Sequence, residues 1–147
     1  MADSLIIRTS KLSEVYDLAP RLRADDVEET KAAGSDPLKS LLAGFKGDEC
    51  FSVIEASTNK VIGMYGYQTI YQNAAIWFLG SNEIAKYPFP FIRKGKQFIN
   101  KLIEKGLNVV CCAYSKNKLH LQYIECLGLI PIDYSIKDFI TFIKYRR

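Results

Sequence analysis

Apolar and polar positions along this chain change period several times, and each change marks an element. Leu5-Ile-Ile-Arg-Thr9 is a short β-rich run. Ser10 then offers an N-cap, and from Ser13 a helical spacing runs through Val15, Leu18 and Leu22, which Pro20 should break or kink. A second, polar helix is predicted from Asp25 to Ala33, stopping at Gly34. Asp36-Pro37 pairs an N-cap with a first-turn proline and opens a helix that carries Leu38, Leu41, Leu42 and Phe45. The period then shortens. Cys50–Glu55, Val61–Ile70 and Ala74–Leu79 read as three strands joined by the turns Ser57–Lys60 and Gln72-Asn73, which makes an antiparallel meander ended by Gly80-Ser81.

Tyr87-Pro-Phe-Pro90 reads as a rigid connector. From Phe91 to Lys105 the apolar positions return at helical spacing, with Ile92, Phe98, Ile99, Leu102 and Ile103 on one stripe and Gly106 as a stop. Leu107–Tyr114 is nearly continuous in apolar residues, as expected of a strand covered on both faces. Asn117-Lys-Leu-His-Leu-Gln-Tyr-Ile-Glu-Cys-Leu-Gly-Leu129 follows as a helix capped by Ser115 or Asn117 and closed at Gly128. Two short strands fill Leu129 to Tyr145. This order predicts an α+β chain with a mixed sheet, in which the long helix leads through a right-handed crossover into a strand parallel to its predecessor.

Composition narrows the picture by exclusion. A length of 147 residues with 48% hydrophobic content suits one domain, residues 1–147, with its own core. The net charge of +4 speaks to solubility more than to a nucleic-acid partner, and none is expected. No apolar run approaches the roughly 18 residues of a membrane span, and MADSLIIRTS lacks a signal-peptide pattern, so a cytoplasmic location is expected. Cys50, Cys111, Cys112 and Cys126 have no C-x-x-C spacing, and His120 is the sole histidine, so no metal site is expected and a His-based triad would rest on one residue. Cys111 and Cys112, adjacent on a strand, point to opposite faces as small hydrophobes.

The element order, with Asn117 and Gly128 in register on the last helix, resembles the GNAT acetyltransferase fold. The fold so implied is a mixed, mostly antiparallel sheet of six to seven strands flanked by helices. The likeness implies acetyl-CoA, retained or lost, in a splay between the fourth and fifth strands, with its pyrophosphate on a helix N-terminus rich in free N–H groups. The chain departs from the family at two points. Arg93-Lys94-Gly95-Lys96-Gln97-Phe98 stands where the family has its phosphate loop, with Gly95 two residues after the arginine instead of three and no second glycine, and Ile124 stands where many members place a tyrosine acid. Tyr123 is one residue early, roughly 100° around the helix.

A narrower resemblance is to the small GNAT-like internal virion protein A group of short-tailed bacteriophages. It is carried by Arg23-Ala-Asp-Asp26-Val-Glu-Glu29, Asp36-Pro37-Leu38, Ile76-Trp-Phe-Leu-Gly-Ser81, Phe91-Ile-Arg93, and Asn117 with Gly128. It implies a role in virion assembly, in the host cytoplasm and associated with the virion, with other virion proteins as partners. Were the chain active, the acceptor would be a small-molecule amine or a protein. Asp26 or Glu29 would then take the amine proton, and Arg23 and Trp77 would border the acceptor. Leu79, Gly80 and Ser81 would polarise the carbonyl, Arg93 to Lys96 would hold pyrophosphate, and Asn117 would position the pantetheine arm. Two plainer readings stand beside these: a polar surface helix for Asp26 and Glu29, and a core anchor for Trp77. A catalytically inactive module for virion assembly or host-protein binding is the rival function.

Overall fold

The computed structural model describes residues 4–147, so the N-terminal reading of residues 1–3 lies outside the described residues. The described residues form seven strands and five α-helices. β1 (Leu5–Thr9) is followed by α1 (Leu12–Leu18), α2 (Ala24–Ala32) and α3 (Pro37–Phe45). The meander β2 (Glu49–Glu55), β3 (Lys60–Ile70) and β4 (Asn73–Gly80) comes next, then α4 (Pro88–Glu104), β5 (Asn108–Tyr114), α5 (Lys118–Cys126), β6 (Ile130–Asp133) and β7 (Phe139–Lys144). One seven-stranded sheet has the order β1-β2-β3-β4-β5-β7-β6. Every pairing is antiparallel except β4 with β5. The expected mixed, mostly antiparallel sheet is what forms.

Local chemistry explains most boundaries. Pro20 ends α1, and Ala19–Arg21 continue as a 3-10 turn. Asp36 caps α3 by accepting the Lys39 N–H at 2.9 Å, with Pro37 at the first position. The expected cap at Ser10 is displaced. Ser10 is buried and its hydroxyl shares a 2.8 Å hydrogen bond with Ser52, while Lys11 takes the cap position.

The helices cover the two faces of the sheet. On one face α1 and α3 pack Val15, Leu18 and Leu41 against Ile54 and Met64. On the other, α4 and α5 pack Ile99, Leu102 and Ile124 against Val109, Cys111 and Phe142. Two expectations are corrected here. Tyr87–Pro90 is not a separate connector, because α4 begins at Pro88. β5 is not covered on both faces: Val109, Cys111 and Ala113 are buried, but Cys112 is exposed towards an open groove.

Candidate functional site

The site arises where the sheet fails to stay paired. β4 pairs with β3 along its length, from Ile70↔Asn73 to Gly63↔Gly80. With β5 it pairs only through Asn73↔Asn108, Ala74↔Val109 and Ala75↔Val110, and then the two strands part. Backbone groups of alternate β4 residues past that point face the gap and need partners from elsewhere.

At the far end the start of α2 supplies them. The Gly80 carbonyl accepts the Arg23 N–H at 2.9 Å, the Gly80 N–H donates to Asp26 Oδ2 at 2.9 Å, and Leu22 bridges to Ser81. Arg23 Nε stands 2.9 Å from Asp26 Oδ2, off the hydrogen-bond direction, so charge rather than a directed bond joins them. Its guanidinium also lies 5.7 Å from the Phe78 ring centroid.

Asp26 is only 2% exposed and continues the chain of contacts. The Asn117 side-chain N–H₂ donates to Asp26 Oδ1 and to Glu29 Oε1, both at 3.0 Å. The Asn117 carbonyl oxygen meanwhile accepts the His120 N–H at 3.2 Å, which caps α5. Glu29 Oε1 also receives the Tyr114 N–H at 3.4 Å and lies 2.9 Å from His120 Nδ1. The other ring nitrogen of His120 is 3.9 Å from Cys111 Sγ. Residues of α2, β4, β5 and α5 thus share one buried network across the gap.

Burial would lower the His120 pKa, but contact with the Cys111 thiol and the Glu29 carboxylate reverses this and raises it from 6.5 to about 10. A group whose folded pKa is raised stabilises the fold fully below its unfolded pKa and loses that contribution as pH climbs to the folded value. Stability to urea is therefore expected to fall between pH 6.5 and about 10. His120→Gln, measured across the same range, should lose that slope.

Two cavities meet at this network, one on each side of the sheet. Towards α4 and α5 lies a narrow apolar slot of about 30 Å³, lined by Phe78, Phe91, Gly95, Cys111, Tyr123 and Ile124 among others. That is room for a water or two, against the several hundred Å³ of a ligand pocket. Aromatic rings fill the rest. Phe91 and Tyr123 stack at 4.4 Å and 9°, Phe78 lies 4.6 Å from Phe91, and the Tyr123 hydroxyl donates to the Phe91 carbonyl at 3.4 Å. Burial pushes the Tyr123 phenol well above its usual range. Towards α2 and α3 lies a wider cavity of about 560 Å³, bordered by Glu29, Trp77, Cys112, His120 and Phe139. Trp77 also packs tightly on Gly44 of α3, where a Cβ would overlap its ring.

The residues singled out from sequence are thereby sorted. Arg23, Asp26, Glu29, Gly80 and Asn117 come together, and Trp77 borders the same gap as both core anchor and cavity wall. The expected polarising groups are spoken for: Leu79 pairs with Met64 in the ladder, and Ser81 gives its N–H to Ile62 O and its hydroxyl to Glu83 Oε1 at 2.7 Å. Gly80 alone faces the gap, and its N–H goes to Asp26. Asn117 spends both amide hydrogens on carboxylates rather than on a pantetheine arm.

The expected pyrophosphate cradle is corrected as well. Arg93 to Lys96 lie in the second turn of α4, past its tip, and Arg93 and Lys96 are exposed. Lys94 and Gly95 line the slot, and Gly95 seats Tyr123. At the tip, Pro88 and Pro90 have no N–H, and the Phe91 N–H donates to Tyr87 O, which leaves only that of Phe89. Sequence reasoning passed over His120 and Cys111 as site members. The two prolines were legible, because a missing N–H is a property of the residue.

Three features of this arrangement are unfavourable to acetyl-CoA. The helix tip lacks the donors a pyrophosphate needs, the slot is too narrow for a pantetheine arm, and a carboxylate occupies the N–H that would face an acyl oxygen. No helix among the described residues is long and apolar enough to cross a membrane. No cluster of metal-ligating side chains occurs among the described residues either.

No family model matches the chain, and no curated protein sequence matches it. Solved structures do. A GNAT-family acetyltransferase from Bacillus anthracis aligns at 13% identity with TM-score 0.69, covering 99% of this chain and 97% of that one. A GCN5-related N-acetyltransferase from Kribbella flavida aligns at 13% identity with TM-score 0.71, covering 96% and 97%. The ribosomal-protein-S18-alanine N-acetyltransferase from Escherichia coli aligns at 12% identity with TM-score 0.65, covering 95% and 91%. At such identities the likeness is one of fold: the chain has the GNAT acetyltransferase fold.

Proposed function

We propose that this chain is a bacteriophage-encoded GNAT-fold protein, descended from acetyl-CoA-dependent N-acetyltransferases. In this reading it serves virion assembly as a binding module, with residues 1–147 acting as one domain in the host cytoplasm and then in the particle. The observation that carries the reading is the buried network that spans the splay. The motif residues that resemble the phage group, Arg23, Asp26, Glu29 and Asn117, satisfy one another across the gap. They also take the Gly80 N–H, which would otherwise face a thioester. Partners are other virion proteins, bound on the outer surface of the fold.

A second reading, retained acetyl transfer to a small amine or a protein amino group, is favoured by one observation. Glu29 Oε2 has no hydrogen bond among the described residues and borders the 560 Å³ cavity beside Trp77, a setting suited to an ammonium group.

Calorimetric titration with acetyl-CoA separates the two. No binding tighter than about 1 mM, some 4 kcal/mol, is expected, and thiol release on added amines should stay at the buffer rate. Tighter binding with amine-dependent thiol release would overturn the module reading. The assembly role is tested by deleting the gene. Mutant particles of unchanged protein composition and infectivity would exclude it.

A further inference from the structure

We propose that the groove between β1 and the middle of α4 binds a flat aromatic anion of the nucleoside-phosphate class. This inference does not rest on acyl transfer: the groove lies over β1 to β3 and adjoins the apolar slot through Ile7, Tyr65, Lys94 and Phe98. Its volume is about 390 Å³, enough for a small ring with one charged substituent.

The floor is aromatic by register. Thr9 pairs with Phe51, and Phe51 pairs with Tyr65, so both rings stand on one face of neighbouring strands. Phe98 of α4 meets them edge-on, 4.9 Å from Tyr65 and 6.1 Å from Phe51, while Phe51 and Tyr65 are 5.4 Å apart. α4 leaves these rings half-buried, so they present ring surface for stacking.

The rim sets the sign of the charge. Lys94 and Lys101 lie seven residues apart on α4, roughly 10 Å along its axis, with Gln97 between them. Neither lysine has a carboxylate partner among the described residues, and no Asp or Glu borders the groove among them. Arg8 also borders it, but its guanidinium is held by both carboxylate oxygens of Glu14, so its charge is already matched. The Tyr65 hydroxyl has no hydrogen bond among the described residues, and burial pushes its pKa to about 12. It therefore remains a neutral donor, able to serve a phosphate oxygen between the two ammonium groups.

The test is titration of the full chain with AMP, adenosine and inorganic phosphate, followed by amide chemical shifts. AMP should bind most tightly, with shifts at Phe51, Tyr65, Lys94 and Lys101, and affinity should fall with added salt. Lys94→Glu and Lys101→Glu should each weaken AMP about tenfold with unchanged thermal stability, and Tyr65→Phe, which keeps the ring, should weaken it less. Three outcomes would overturn the proposal: no shifts at several times about 1 mM AMP, phosphate binding as tightly as AMP, or shifts confined to the cavity beside Glu29.

Discussion

Asp26→Ala is expected to cost about 3–5 kcal/mol of folding stability, the range for breaking one side of a buried charged pair. The carboxylate is 2% exposed and serves three groups at once: the Gly80 N–H, the Asn117 amide and the Arg23 guanidinium. Its removal leaves a guanidinium whose side chain is only 12% exposed with no opposite charge, and two donors without acceptors. Against a total of 5–15 kcal/mol for an ordinary domain, that loss would bring the protein close to unfolding at physiological temperature. Asp26→Asn keeps the shape and should cost less. Urea denaturation of both variants gives the answer. A loss below about 1 kcal/mol for alanine would mean that the network does not hold the splay together.

Gly95→Ala is expected to cost about 1–3 kcal/mol by overpacking. A Cβ there would overlap the Tyr123 hydroxyl and come within 2.9 Å of Leu127 Cδ2. The Tyr123 ring cannot simply swing away, because it is stacked on Phe91. Tyr123→Phe removes the overlapped oxygen, so the double variant Gly95→Ala/Tyr123→Phe should recover part of the loss, with a coupling near 1 kcal/mol. Were Gly95 a phosphate-approach glycine, the alanine variant would keep its stability and the cycle would show no coupling.

These two residues also mark where the sequence was legible and where it was not. The meander, the stripe of α4 and the parallel crossover follow from periodicity, because their buried positions are apolar. α2 defeats that logic: its buried residues are Asp26 and Thr30, so its pattern resembles that of a solvated helix. Only the structure shows that Asp26 meets an asparagine 91 positions later. The shared helical face of Asp26 and Glu29 was readable; the single amide that bridges them was not. For β5, the continuous apolar run concealed the open groove on one side, because a cavity takes the same residues as a covering helix.

The obstacles to an acyl carrier differ in how they could be undone. Side chains across the gap can rotate, and a breathing motion of α2 could expose Gly80 for a moment. The tip of α4 admits no such motion, since Pro88 and Pro90 are built without the hydrogens a phosphate would grip. No excited conformer restores them. Only a change of genotype at both codons could, which makes the donor-poor tip of this helix a heritable feature rather than a conformational one.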